Sequence, residues 1–205
     1  MTEDATIGKR LKAKFPDAVI GGKSFRGELT ININKDYIQR AAKFLCEDSE
    51  SDFDYLSDLC GVDLSRLERS NNFEVVYHLY SIKLNHRVRL KVKIPASDPS
   101  IDTVTNVWKT ADWHEREAYD MFGIIFKGHP NLQRILTPEG FEGHPLRKDF
   151  PLTGHTEVRY SEEQKKVINE PVKLEQNYRN FDYESPWEGT KYIKNQTDQE
   201  NDKKN

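Results

Sequence analysis

Between His114 and Asp120 the chain sets three carboxylates, Glu115, Glu117 and Asp120, beside one imidazole, His114, and one guanidinium, Arg116. Two carboxylates held across a cleft can divide acid and base work, as they do in many hydrolases. The spacing here argues for something else. On a helix turning about 100° per residue, Glu115 falls between Phe122 and Tyr119, while Glu117 and Asp120 cluster with Arg116 near Trp113. Arg116 and Asp120 are i,i+4 neighbours able to pair. A guanidinium so placed lowers a carboxylate pKa instead of raising it toward neutrality. No nucleophile elbow or serine partner accompanies the acids. A structural ion-pair cluster or an interface site fits better, and Glu115, among aromatics, must find a cap, a cation or a costly burial.

The six histidines (78, 86, 114, 129, 144 and 155) raise the question of a metal. None are spaced as HxxxH or HExxH, and the two cysteines, Cys46 and Cys60, are too far apart for a CxxC site. His129 and His144 each stand in a Gly-His-Pro turn and read as loop residues making backbone contacts. No GxGxxG or Walker-type loop is present. The expectation is that this chain has no catalytic, cofactor-binding or metal-ligating residues of its own.

A net charge of -3 over 205 residues, with 36% hydrophobic and 32% charged content, gives no basic field for nucleic acid or an acidic membrane. No run approaches a membrane-spanning length, and residues 1–14 have neither an apolar signal core nor a transit-peptide pattern. Two cysteines suit a reducing compartment.

The elements that must position the central stretch follow from periodicity. Asp112–Phe122 reads as a helix with Asp112 as N-cap, Glu115 as its capping-box partner and Gly123 as the stop. Residues 5–15 suggest a helix ended by Pro16, and residues 18–20 and 28–34 suggest strands around the Gly21-Gly22 turn. Asn34 is placed to cap a helix running to Glu47, with Tyr37, Ala41, Phe44 and Leu45 inward. Residues 53–63 fit either a helical turn or a strand. Phe73–Tyr80 is an aromatic and β-branched strand. In His86–Ile94, Val88, Leu90, Val92 and Ile94 alternate with Arg87, Arg89, Lys91 and Lys93; the cations read as a solvated strand face, not a binding stripe. A helical Thr103–Ala111 is expected before the central helix, and a short strand at 124–126 after it.

Beyond Gly123 the density of glycine and proline forbids regular structure, yet the apolar and basic residues of 128–155 imply an ordered loop pinned to a surface. From Thr156 onward too few apolar residues remain for an independent core. Six aromatics, Tyr160, Tyr178, Phe181, Tyr183, Trp187 and Tyr192, stand along that tail. They suit anchors in pockets of a partner, or else a tail folded back on its own domain. Residues 194–205 read as disordered.

The run Glu115–Ile124 with its ERE-xx-D core, followed by Gly128-His129-Pro130, Arg134-Ile135-Leu136 and Gly143-His144-Pro145-Leu146-Arg147-Lys148-Asp149-Phe150-Pro151-Leu152, closely resembles the thirty-kilodalton subunit family of respiratory complex I, the C subunit of bacterial NADH-quinone oxidoreductase. Phe73–Tyr80 and the tail stretch from Tyr178 to Gly189 fit as well, so the likeness covers about residues 50–190. Gln133 departs from it, because many members carry a second arginine before Arg134. The resemblance implies an α+β fold, with a mixed sheet of four to five strands, helices packed on it and a long irregular C-terminal extension. The implied divisions are an α+β domain at 1–127, a Gly/Pro-rich docking loop at 128–155 and an extended tail at 156–205. It further implies a non-redox structural and assembly subunit of the peripheral arm, with FMN and Fe-S clusters held by other subunits. The expected partners are the D subunit, which carries the quinone site, and its neighbour the B subunit, at the cytoplasmic side of the inner membrane. The implied interface comprises Glu115, Arg116, Glu117, Asp120, His129, Arg134, His144, Arg147, Lys148, Asp149 and Phe150, together with Tyr178, Phe181 and Trp187 of the tail. The alternatives are the equivalent subunit of a membrane-bound hydrogenase or related dehydrogenase, and a stand-alone hydrolase using Glu115, Glu117 or Asp120.

Overall fold

Alternation of apolar and polar residues builds the centre of the fold. In the computed structural model, which describes residues 3–66 and 72–173, β4 (Asn72–Ser81) and β5 (His86–Pro95) pair antiparallel through ten residues each. Val75, Tyr77 and Leu79 of β4 and Val88, Leu90, Val92 and Ile94 of β5 are buried on the core face. The ambiguous stretch resolves as a strand, β3 (Tyr55–Asp63), antiparallel to β4 with an irregularity between Leu56 and Asp58. β1 (Val19–Phe25) and β2 (Glu28–Ile33) form a hairpin, and β2 runs parallel to β5. The result is a mixed five-stranded sheet in the order β1-β2-β5-β4-β3.

α1 (Glu3–Lys14) and α2 (Ile38–Glu47) cover the core with Ile7, Leu11, Ile38, Ala41 and Leu45. Asn34 does accept a capping bond, from the Asp36 N–H, but it opens a single 3-10 turn at Lys35–Tyr37 and α2 itself starts at Ile38. Tyr37 and Phe44 are consequently only half-buried. The outward cations of β5 are engaged across the sheet: Arg89 with Glu28 at 2.7 Å, Lys91 with Glu74 at 2.7 Å, and Arg87 over the Tyr80 ring.

The expected helix at Thr103–Ala111 is absent. After β6 (Ser100–Asp102) the chain makes consecutive turns, with the N–H groups of Val107 and Trp108 both donating to the Val104 carbonyl. Val104, Thr105 and Val107 are β-branched, which disfavours a helix. Buried Trp108 instead anchors the turns by donating its Nε1–H to the Phe53 carbonyl at 2.9 Å. α3 (Ala111–Phe122) then lies along the edge strand β3, where Phe122 packs on Gly61 so closely that a Cβ at 61 would approach the ring to 2.5 Å. β7 (Ile125–Lys127) pairs parallel with β6. Residues up to His155 form one compact unit and Thr156–Asn205 a second. In the second, where extended irregular chain is expected, β8 (Thr156–Ser161) and β9 (Lys166–Pro171) form an antiparallel hairpin, tied by Arg159 to Glu170.

Candidate functional site

α3 carries two carboxylates to 0% exposure, Glu115 and Asp120, and gives each a separate task. The Glu115 carboxylate accepts the Val104 N–H at 2.8 Å and the Thr103 hydroxyl. Burial pushes its pKa up to about 7; the two donors oppose the rise and Asp112 adds to it. The expected capping box does not form. α3 begins behind Thr110, which leaves Asp112 inside the first turn. Glu115 reaches back to the turn at 103–104, where the buried Val104 N–H would otherwise lack an acceptor.

Asp120 builds the next loop. One carboxylate oxygen accepts the N–H groups of Ile135, Leu136 and Thr137 at 3.0, 2.8 and 2.9 Å. The other accepts the Thr137 hydroxyl at 2.6 Å and the Arg134 guanidinium at 2.9 Å. Burial alone would raise this acid, but the hydroxyl and the three N–H donors outweigh it and hold the pKa well below the usual carboxylate range. The expected Arg116–Asp120 pair is replaced by Arg134–Asp120. Arg116, half-buried, donates to the Gln133 carbonyl at 3.2 Å, approaches that of Arg134 and lies over the Trp113 ring.

The end of α3 accounts for four carbonyls that a helix leaves without partners. Gly123 N–H donates to Tyr119 at 2.8 Å, and Leu146 N–H to Met121 at 3.1 Å. His144 Nδ1–H donates to Asp120 at 2.9 Å, and Arg147 Nε–H to Phe122 at 2.6 Å. Gly123 has φ +74°, and a Cβ there would come within 2.5 Å of both the His144 and Arg147 side chains, so the position has room only for glycine. Arg147 also sets positive charge at the negative end of the helix dipole and stacks over Phe73. Burial lowers the His144 pKa; its bond to the Asp120 carbonyl opposes this, and Arg147 and Arg134 reinforce it. One residue further, Lys148 N–H donates to the Asp63 carboxylate at 2.7 Å. Burial would raise Asp63, but bonds from Lys148 and Ser65 bring it below its ordinary value.

The first Gly-His-Pro turn grips the other end of the helix. His129 Nε2–H donates to the Asp112 carbonyl at 3.2 Å, and its Nδ1 accepts the Asn131 N–H. Both histidines thus make the backbone contacts their turns suggested. Of the predicted surface residues, Glu117, Lys148 and Asp149 are exposed, while Arg116, His129, Arg134, His144, Arg147 and Phe150 are half-buried. Phe150 stacks on Phe141 with ring centroids 5.9 Å apart. Tyr178, Phe181 and Trp187 lie outside the described residues. Sequence reasoning missed Thr103, Asp63 and Thr137; only Thr137, close behind Arg134, had any local signal. Around this frame Trp113, Leu136, Leu146 and Leu152 stand 61%, 61%, 49% and 87% exposed.

Glu115 and Asp120 face different loops with every near donor already engaged, and Glu117 points to solvent, so the three acids form no acid–base pair. Asp120 holds up a loop frame with outward leucines, on a mixed-sheet α+β domain. The chain belongs to the family of the respiratory-chain NADH dehydrogenase 30 Kd subunit, whose model matches residues 31–156. It is 50% identical over 183 residues to the C subunit of NADH-quinone oxidoreductase from Hyphomonas neptunium, covering 89% of each chain. It is 52% identical over 187 residues to the C subunit of the same enzyme from Azorhizobium caulinodans, covering 91% of this chain and 87% of that one. Among solved structures it resembles a trypsin-resistant fragment of Nqo5, at 28% identity and TM-score 0.53, over 64% of this chain and 100% of that one. A chain of a membrane-bound sulfane sulfur reductase, an archaeal respiratory membrane complex, is also similar, at 26% identity and TM-score 0.58, over 72% and 85%. No helix among the described residues is long and apolar enough to cross a membrane.

Proposed function

We propose that this chain is a structural and assembly subunit in the peripheral arm of a proton-translocating NADH:quinone oxidoreductase. It holds no redox centre. Electrons pass from NADH through the FMN and Fe-S clusters of other subunits to quinone, while this chain grips the quinone-site D subunit and, beside it, the B subunit. It is held by them at the cytoplasmic side of the inner membrane. The observation carrying this reading is the loop frame sealed onto α3 from within, by Asp120 and the helix-end carbonyls, with Leu136, Leu146 and Leu152 left outward. A preorganised platform with exposed apolar side chains associates at low ordering cost. The tail aromatics Tyr178, Phe181 and Trp187 act in this reading as a clamp over the same partner.

Leu136→Asp with Leu146→Asp tests the platform. The doubly substituted chain keeps its unfolding midpoint, since both side chains are exposed, but no longer co-purifies with the quinone-site subunit from native membranes. Undiminished co-purification overturns the platform as docking surface. Deleting residues 156–205 separates the clamp from the platform: the remaining domain folds, and co-purification is lost if the tail grips. The likeness to the archaeal membrane complex favours a second reading, the equivalent subunit of a related membrane-bound dehydrogenase. The subunits recovered with the native chain decide between them.

A further inference from the structure

Asp58, Cys60 and His78 make none of the loop frame's hydrogen bonds described above, and nothing in the proposed docking role uses these three residues. Asp58 and Cys60 are two apart on β3, hence on one side of the strand, and His78 is the cross-strand partner of Asp58 on β4. One carboxylate oxygen, the thiol sulfur and one imidazole nitrogen all lie within 4.8 Å of one another. Asp58 is exposed, and Cys60 and His78 are half-buried. The irregularity between Leu56 and Asp58 immediately precedes the group. Such a bulge re-aims the side chains that follow it. A groove of about 260 Å³, lined in part by Ser57, Asp58 and His78, opens beside two of the three residues.

We propose that Asp58, Cys60 and His78 bind a borderline-soft divalent cation, Zn²⁺. Sulfur, nitrogen and oxygen donors together suit this ion, and hard cations such as Mg²⁺ or Ca²⁺ would not be held by a thiolate. Three side-chain donors leave a position for water. On binding, the Cys60 thiol gives its proton to solvent and the thiolate and the Asp58 carboxylate balance the charge of the ion. The nearest cations on this face do not oppose it unpaired: Arg89 is bound to Glu28 and Lys91 to Glu74. His114 of α3 sets its Nδ1 3.6 Å from the Asp58 carboxylate. Drawn to hydrogen-bond distance on binding, it would act as an outer partner that orients the carboxylate. The ion would fasten the edge strand to its neighbour just past the bulge, a structural task independent of electron transfer and of the docking platform.

The test uses the full chain, stripped with a chelator and titrated with Zn²⁺ alone by calorimetry, and with Co²⁺ as a spectroscopic substitute. One equivalent binds, and Co²⁺ gives a thiolate-to-metal charge-transfer band in the near ultraviolet. Cys60→Ser and His78→Gln each weaken binding more than about a hundredfold, while His114→Ala weakens it by about tenfold. Cys46→Ser leaves it unchanged. Absence of the charge-transfer band at saturating Co²⁺ in the unsubstituted chain overturns the proposal without any variant having to fold. Loss of the band on Cys46→Ser, or a Zn²⁺ affinity indifferent to both Cys60→Ser and His78→Gln, overturns it equally.

Discussion

The chain uses Gly-His-Pro twice, and the two copies do different work on the same helix. At 128–130 the histidine donates from Nε2 to the Asp112 carbonyl, at the start of α3, and its Nδ1 receives the Asn131 N–H. That arrangement needs the neutral Nε2–H tautomer. At 143–145 the histidine donates from Nδ1 to the Asp120 carbonyl, at the helix end. The second turn has company: Leu146 and Arg147 cap the next two carbonyls, and Lys148 ties on to Asp63 in β3. At the first turn the imidazole also lies 3.2 Å from the Asp112 carboxylate, and Arg116 approaches the Gln133 and Arg134 carbonyls. Identical tripeptides therefore differ in consequence according to which helix end they meet. The end with four open carbonyls gathers a network, whereas the start carries N–H donors that a histidine accepting from Asn131 does not serve.

Asp120 joins the loop at 134–137 to the second turn, so removing it should cost most. Asp120→Ala leaves Arg134 and the three N–H groups of residues 135–137 without their acceptor. The expected loss is about 3–5 kcal/mol in urea unfolding, as for other broken buried pairs. Asp120→Asn, which keeps one acceptor oxygen, loses less. Because the folded pKa of Asp120 is depressed, its contribution is fully present above the unfolded value, about 3.9, and is lost as pH falls below it. A difference between wild type and Asp120→Asn that persists unchanged well below pH 3 contradicts this account.

Glu115 has the opposite sign. Its folded pKa is raised from 4.5 to about 7, so the folded state binds the extra proton between these values and stability falls as pH rises through them. The size is on the order of 3 kcal/mol from the shift alone. Glu115→Gln mimics the protonated acid. It should flatten the slope between pH 5 and 8 and leave the variant at least as stable as wild type at pH 8. A wild type that gains on Glu115→Gln as pH rises would mean that the Thr103 and Val104 donors outweigh burial.

The contrast between the sheet and this helix explains what could be read beforehand. The alternation of Val88, Leu90, Val92 and Ile94 reports burial from within ten residues, and β5 came out as expected. The helix, its Gly123 stop and the backbone role of both histidines were likewise legible. The partners of the acids were not. Glu115 binds donors 11 and 12 residues upstream, Asp120 binds N–H groups 15–17 residues downstream, and Asp63 meets Lys148 across 85 residues. Local spacing offered only Arg116 to Asp120 and Asp112 to Glu115, and in both cases a partner from a loop took the place. The same limit hid the cluster of Asp58, Cys60 and His78, which only the register of β3 on β4 assembles.

The smallest effect sharpens the comparison of the two turns most. His129→Ala and His144→Ala each remove one neutral hydrogen bond to a helix carbonyl, worth about 1 kcal/mol. At the start of α3, His129→Ala also frees the Asn131 N–H, but that group is exposed and can turn to water, so the substitution should cost little more than that. At the end, His144 fills the space against Gly123 and packs edge-on to Tyr119 with centroids 6.5 Å apart. His144→Ala therefore adds lost packing and a partly uncapped Asp120 carbonyl, for about 2 kcal/mol in all. His144→Asn, whose amide can donate to that carbonyl, should recover part of the loss, and His129→Asn should not differ from its alanine counterpart. Hydrogen exchange at Asn131 and at Leu146 reads the two loops separately. Equal acceleration of both loops by either substitution would mean that α3 and its two turns open as one unit, and that the helix end holds no privileged position.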